Sequence, residues 1–131
     1  MNDPITKPHP SRNLEILTEP WHVKILDLEF TIKKGFMWDG ASIPRAFWIT
    51  TGSSFMPKYR AAACVHDFLY RTGIVSRKTA DKIFYIMLKS RKDVGRYTAW
   101  KMHRGVRAGG WVSWKRYRKR SIDWQREYLE N

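Results

Sequence analysis

The sequence is poor in cysteine, in long apolar runs and in acids. Its single cysteine, Cys64, excludes any disulfide within the chain, so a reducing compartment suits it. No stretch reaches the roughly 18 consecutive apolar residues of a membrane span, so no transmembrane segment is expected. The opening residues, MNDPITKPHP, lack the apolar core of a signal peptide, and none is expected. Internal repeats and low-complexity tracts are absent, as are zinc-ligand spacings, a ribonucleoprotein signature and a clear helix-turn-helix. Asp and Glu number 12 against 25 Lys and Arg, a net charge of +13. The excess is uneven: residues 1–40 hold six acids and five bases, residues 41–131 six acids and twenty bases. Such a field favours anionic partners: nucleic acid, anionic lipid or an acidic protein surface.

Aromatic residues are plentiful, with seven Trp, six Tyr and six Phe, so the core is expected to be built on large rings. A chain of 131 residues fits one domain and buries about two-thirds of its unfolded surface, enough to fold without staples. The proline-dotted residues 1–11 are expected to be a flexible arm. Residues 12–110 read as a single α+β domain, and residues 111–131 as a basic, Trp-rich C-terminal helix. Segments 12–19 and 21–34 read as strands. The alternation Trp21, Val23, Ile25 slips phase at Ile25–Leu26, which calls for a bulge or a turn there. Residues 35–48 form an irregular aromatic loop with a turn at Asp39-Gly40. Helices are expected over 57–71, opened by Pro57 and stopped by Gly73, over 77–91 with Ser76 as N-cap, and over 95–107. The fold class is therefore α+β, a small N-terminal antiparallel sheet followed by a bundle of three to four helices.

The chemistry-bearing residues cluster on the first two helices. His66, Asp67 and Tyr70 sit on the first, and Asp81 on the second. His66 precedes the connecting loop by as many residues as Asp81 follows it. At 1.5 Å per residue both stand about 7.5 Å from the loop, so antiparallel helices bring them to one height. Between residues 41 and 110 there are three acids, Asp67, Asp81 and Asp93, against fourteen bases. A buried carboxylate needs a partner. His66 is one, with Arg60, Arg71 and Arg77 as competitors. Three readings stay open. A carboxylate orients His66 as a general base, making His66, Asp67 and Asp81 catalytic, with Asp39, Ser42 and Tyr70 in support. Alternatively Asp67 and Asp39, with His66 and Asp81, hold a divalent cation such as calcium or zinc. Otherwise the same residues form a structural polar network. Asp39 also fits an Asx turn, and Ser42 lacks a nucleophile-elbow setting.

The basic segments form a second constellation. Arg104, Arg107, Lys115, Arg116, Arg118, Lys119 and Arg120 are candidate anion-binding residues, with Trp114 or Tyr117 stacking on bases or lying at a lipid interface. The alternative is a helix that buries its tryptophans and leaves its cations solvated.

GFMWDGASIPRAFW, AAACVHDFLY and SRKTADKIFYIML together resemble a small domain family of unknown function found in tailed phages and prophages. The resemblance covers about residues 35–107, and the 111–131 tail lies beyond it. Trp38 stands where the family usually carries Thr or a similar residue. The resemblance implies a phage or prophage protein, located in the bacterial host cytoplasm or the virion, with other phage proteins as partners. The His-Asp-x-x-Tyr run, with an Asp on the antiparallel helix, is also locally similar to the catalytic helices of secreted phospholipases A2. That similarity implies His66 as base, Asp67 as calcium ligand and Asp81 as the residue orienting His66. The paired cysteines and glycine-rich calcium loop of those enzymes are missing here. Three functions follow as expectations: a hydrolase-like protein acting on a cell-envelope component such as phospholipid; a non-enzymatic virion or tail component; and a phage effector that binds a host protein or nucleic acid.

Overall fold

A computed structural model of the chain describes residues 3–39 and 56–130. Two three-stranded antiparallel sheets come first in the chain. One is ordered β1 (Thr6–Pro8), β2 (Glu15–Leu17), β5 (Met37–Trp38); the other is ordered β3 (Trp21–Ile25), β4 (Leu28–Ile32), β6 (Leu129–Glu130). Among the described residues five helices follow: α1 (Pro57–Thr72), α2 (Arg77–Lys89), α3 (Arg96–Gly109), α4 (Trp111–Tyr117) and α5 (Ser121–Tyr128). A 3-10 turn at Arg118–Arg120 joins the last two. The α+β class and its order, sheet before helices, are as expected.

The phase slip at Ile25–Leu26 is a two-residue hairpin turn. Ile25 faces Leu28, and Leu26 takes the left-handed conformation with φ 54°. Strand alternation then sends Trp21, Val23, Phe30 and Ile32 to the buried face. The helix signals fall where the sequence put them. Pro57 opens α1, Gly73 closes it with φ 64°, and the Ser76 hydroxyl caps α2 by accepting the Thr79 N–H.

Three expectations change. Residues 6–8, read as part of a flexible arm, pair with β2: Thr6 lies opposite Leu17 and Pro8 opposite Glu15. Proline is tolerated there because β1 is an edge strand. The C-terminal segment is not one helix. It bends at Arg118–Arg120, and its end returns as β6, with Leu129 paired to Ile32. The sheet is two sheets, and the second takes its third strand from that returning end.

Helix α1 is the centre of the molecule. Thirteen of its sixteen residues are buried, because sheet, α2, α4 and α5 pack around it. Phe68 stacks on Phe30 at 5.2 Å and meets Phe36 edge-on at 5.5 Å, locking α1 to the strands. A helix enclosed on every side has no solvent face for polar residues. His66, Asp67 and Arg71 on α1 are therefore all buried and must find partners inside.

Candidate functional site

The polar residues of α1 and α2 resolve into two networks rather than one. Successive residues on a helix diverge by about 100°, so His66 and Asp67 face different neighbours. The His66 ring turns toward α2. Its Nε2 lies 2.7 Å from Oδ1 of Asp81, and its face is tilted against Tyr70 and Phe84 at 4.2 and 4.7 Å. The height match expected across the helix pair is met.

Asp81 is the hub. Its Oδ1 also accepts the Tyr70 hydroxyl at 2.6 Å. Its Oδ2 accepts from Arg107 at 2.7 Å and lies 3.5 Å from Arg77. His66 and Asp81 are 1% and 0% exposed. Burial alone would raise the Asp81 pKa, but the bonds from His66, Tyr70 and Arg107 hold it below the ordinary carboxylate range. Asp81 is therefore an anion. Burial, and then the Asp81 carboxylate, push the Tyr70 phenol far up, so Tyr70 stays a donor. An ionised Asp81 accepts from Nε2–H. When the imidazole is neutral, its lone pair is therefore on Nδ1. That nitrogen is buried and has no hydrogen-bond partner among the described residues.

Asp67 and Asp39 turn to Arg71. The Arg71 guanidinium lies 3.2 Å from Asp67 and 4.0 Å from Asp39, and donates to the Met37 carbonyl at 2.7 Å. Rings of Phe36, Tyr117 and Trp124 surround it at 4.9–5.5 Å. The two carboxylates expected to hold a metal thus meet at a cation supplied by the chain. Among the described residues no three His, Cys, Asp or Glu side chains gather as a metal site. A cleft of about 190 Å³ opens beside this second network, walled by Asp39, Arg71, Tyr117, Trp124 and Tyr128. Ser42 lies outside the described residues.

Of the candidate anion binders, Arg104, Lys115, Arg116, Lys119 and Arg120 are exposed. Arg107 and Arg118 are committed inside. Arg107 holds Asp81, while Arg118 donates to the carbonyls of Trp114 and Tyr70 and lies 3.7 Å over the Trp114 ring. Trp114 packs edge-on against Tyr70 at 5.3 Å, so neither Trp114 nor Tyr117 is free to stack on a base. Arg107 is the member of the Asp81 network that sequence reasoning missed. The available signal was indirect, three acids among fourteen bases. Cys64 is a core residue whose thiol burial pushes up, leaving it unreactive.

No curated protein matches the sequence. No solved structure matches it either. Residues 16–106 match the family described as "Protein of unknown function (DUF1353)", a span that includes His66, Tyr70, Arg77 and Asp81 of the first network and Asp39, Asp67 and Arg71 of the second, and stops short of Arg107, α4, α5 and β6. With more than half its length matched, the chain belongs to the DUF1353 family.

Proposed function

We propose that this protein is a hydrolase-like phage or prophage protein in which His66 acts as general base on water or a hydroxyl, in attack on an ester of a cell-envelope component such as phospholipid. The observation that carries the reading is the Nδ1 atom of His66. It is buried with no hydrogen-bond partner among the described residues, while Nε2 is anchored on an ionised carboxylate. A polar network serving only to hold helices together satisfies most of its buried nitrogens, although Arg71 Nε in the second network is also without a bond among the described residues. Here the unsatisfied atom is the basic one, in the tautomer a base requires. Tyr70 and Arg107 fix the Asp81 carboxylate, which in turn fixes the ring. Because the ring is buried, turnover requires the packing around it to open when substrate arrives.

His66→Gln tests this directly, since a glutamine amide can still donate toward Asp81 but cannot take a proton. Expected is loss of phospholipid or carboxylic-ester hydrolysis in a variant that still melts cooperatively. Retained hydrolysis in His66→Gln, or no hydrolysis by the wild type across phospholipid, simple-ester and cell-wall substrates, overturns the reading.

The deep burial of His66 favours one other reading, a structural lock in a non-enzymatic virion component. Under it, His66→Gln lowers stability and no hydrolysis is found in either protein.

A further inference from the structure

The outer face of α3 and α4 carries a surface that the His66 site does not use. Between Asp93 and Asp123 the chain has no acid and nine Lys or Arg residues. Within that stretch α3 and α4 are separated by one turn residue, Gly110, which keeps helix-like φ −68° and ψ −18° and whose carbonyl accepts the Trp114 N–H at 3.0 Å. One helical wheel therefore spans both elements. At about 100° per residue, Tyr97, Trp100, Arg104, Trp111, Val112 and Lys115 fall within about 60° of one line. The buried Ala99, Met102, Val106 and Ser113 occupy the opposite side. The outward rings are unusually bare: Tyr97 is 70%, Trp100 49% and Trp111 56% exposed. Three large rings and a valine exposed along one cationic face are more bare apolar surface than solubility calls for.

We infer that this face docks on a bilayer surface rich in anionic phospholipid. Indole and phenol rings that alternate with Lys and Arg are the composition of a helix lying in a membrane interface. There the rings enter the headgroup region and the cations stay at phosphate level. Nucleic acid fits the charge but not the rings. Tyr97 and Trp100 stack on each other at 6.0 Å, with Lys101 5.6 Å over Tyr97 and Arg104 5.7 Å over Trp100. Faces so occupied are not platforms for bases. Val112, exposed beside Trp111, gains from entering a lipid interface and gains nothing from a phosphate backbone. The cations confer the preference for an anionic leaflet. The inference stands apart from the role of His66, and binding is read without turnover.

The test is co-sedimentation of the full chain with phosphatidylcholine vesicles, with and without phosphatidylglycerol. Expected is partition to the phosphatidylglycerol vesicles, weakening as salt rises. In Trp100→Ser/Trp111→Ser it falls on the order of tenfold, the scale set by returning two half-exposed rings to water. Arg104→Gln and Lys115→Gln each lower it roughly fivefold. All of these side chains are exposed, so unchanged melting temperatures are part of the expected result. A wild type that stays in the supernatant at low salt overturns the inference. So does equal binding by the tryptophan and charge variants. Tight binding of single- or double-stranded nucleic acid that the tryptophan pair abolishes, with no partition to vesicles, replaces lipid with nucleic acid as the occupant and also overturns it.

Discussion

His66 and Asp81 lie fifteen residues apart in the chain and 2.7 Å apart in the fold. Around that contact the protein places Tyr70 on the same carboxylate oxygen and Arg107 on the other. An anion buried this completely is tolerable only while its donors remain. Asp81→Asn removes the charge and strands Arg107 without its counter-ion. Its expected cost is about 3–5 kcal/mol. Tyr70→Phe removes one donor and leaves the others, so it should cost about 1–2 kcal/mol. Urea denaturation of the two variants measures both. Equal and small losses would contradict the hub role of Asp81.

The same carboxylate gives the fold an acid limit. In the unfolded chain an aspartate titrates near about 3.9. In the folded protein Asp81 titrates lower, through its His66, Tyr70 and Arg107 bonds. The stabilisation from a depressed carboxylate is fully present above the unfolded pKa and is lost as pH falls through the folded one. Wild-type stability should therefore decline below about pH 4. Asp81→Asn should be less stable at neutral pH but show a shallower acid decline. Parallel curves of unfolding free energy against pH for the two proteins would remove Asp81 as the source.

Gly110 is a glycine for a reason that lies on another helix. A Cβ there would run into the Tyr70 hydroxyl and the Val106 carbonyl. Gly110→Ala should push Tyr70 off Asp81 and cost at least as much as Tyr70→Phe. In the Tyr70→Phe background the added cost should shrink, because the clashing hydroxyl is gone. A double-mutant cycle over these two positions should give a coupling of about 0.5 kcal/mol or more. Additive losses would mean that the two residues do not meet.

The helix pair and its contact were legible because they rest on local signals. Pro57, Gly73 and Ser76 set the ends, and a constant rise per residue sets the height at which His66 meets Asp81. The split into two networks was less visible. Adjacent residues such as His66 and Asp67 suggest a shared site in a linear reading, whereas the helix turns them apart. Arg107 and Arg118 read as surface cations because nothing local tells an arginine that reaches inward from one that does not. β6 was illegible for a similar reason. Two residues acquire strand structure only from pairing with β4, nearly the whole chain away. The exposed rings of Tyr97, Trp100 and Trp111 stood apart only once the buried side of α3 was known.

Leu26 is the turn residue least suited to its place. It is exposed and holds φ 54°, a conformation that costs a leucine about 1–2 kcal/mol. Leu26→Asn should relieve part of that cost without touching the core, since asparagine tolerates the left-handed region. A rise of a few degrees in melting temperature is expected. A fall would show that the exposed Leu26 side chain contributes packing worth more than the strain.

The segment 111–130 lies outside the family match. Residues 111–130 supply β6 to the second sheet and cover one flank of α1. Arg118 and Gln125 donate to the carbonyls of Tyr70 and Thr72, at the end of α1 where helix geometry leaves carbonyls without partners. Tyr128 packs on Phe36 at 5.3 Å and its carbonyl accepts the Lys33 N–H, while Trp124 covers Arg71. Ending the chain at Gly110 would remove all of these together. It would leave Arg71 open to water, Phe36 uncovered and β4 with a bare edge. Losses of that kind each cost on the order of 1–3 kcal/mol, against a total stability of about 5–15 kcal/mol for a domain. The truncated chain should therefore lose its cooperative thermal transition and its near-ultraviolet dichroism while keeping helical content. A truncated protein that melts cooperatively within a few degrees of the full chain would show that the family segment folds alone and that the tail is an accessory.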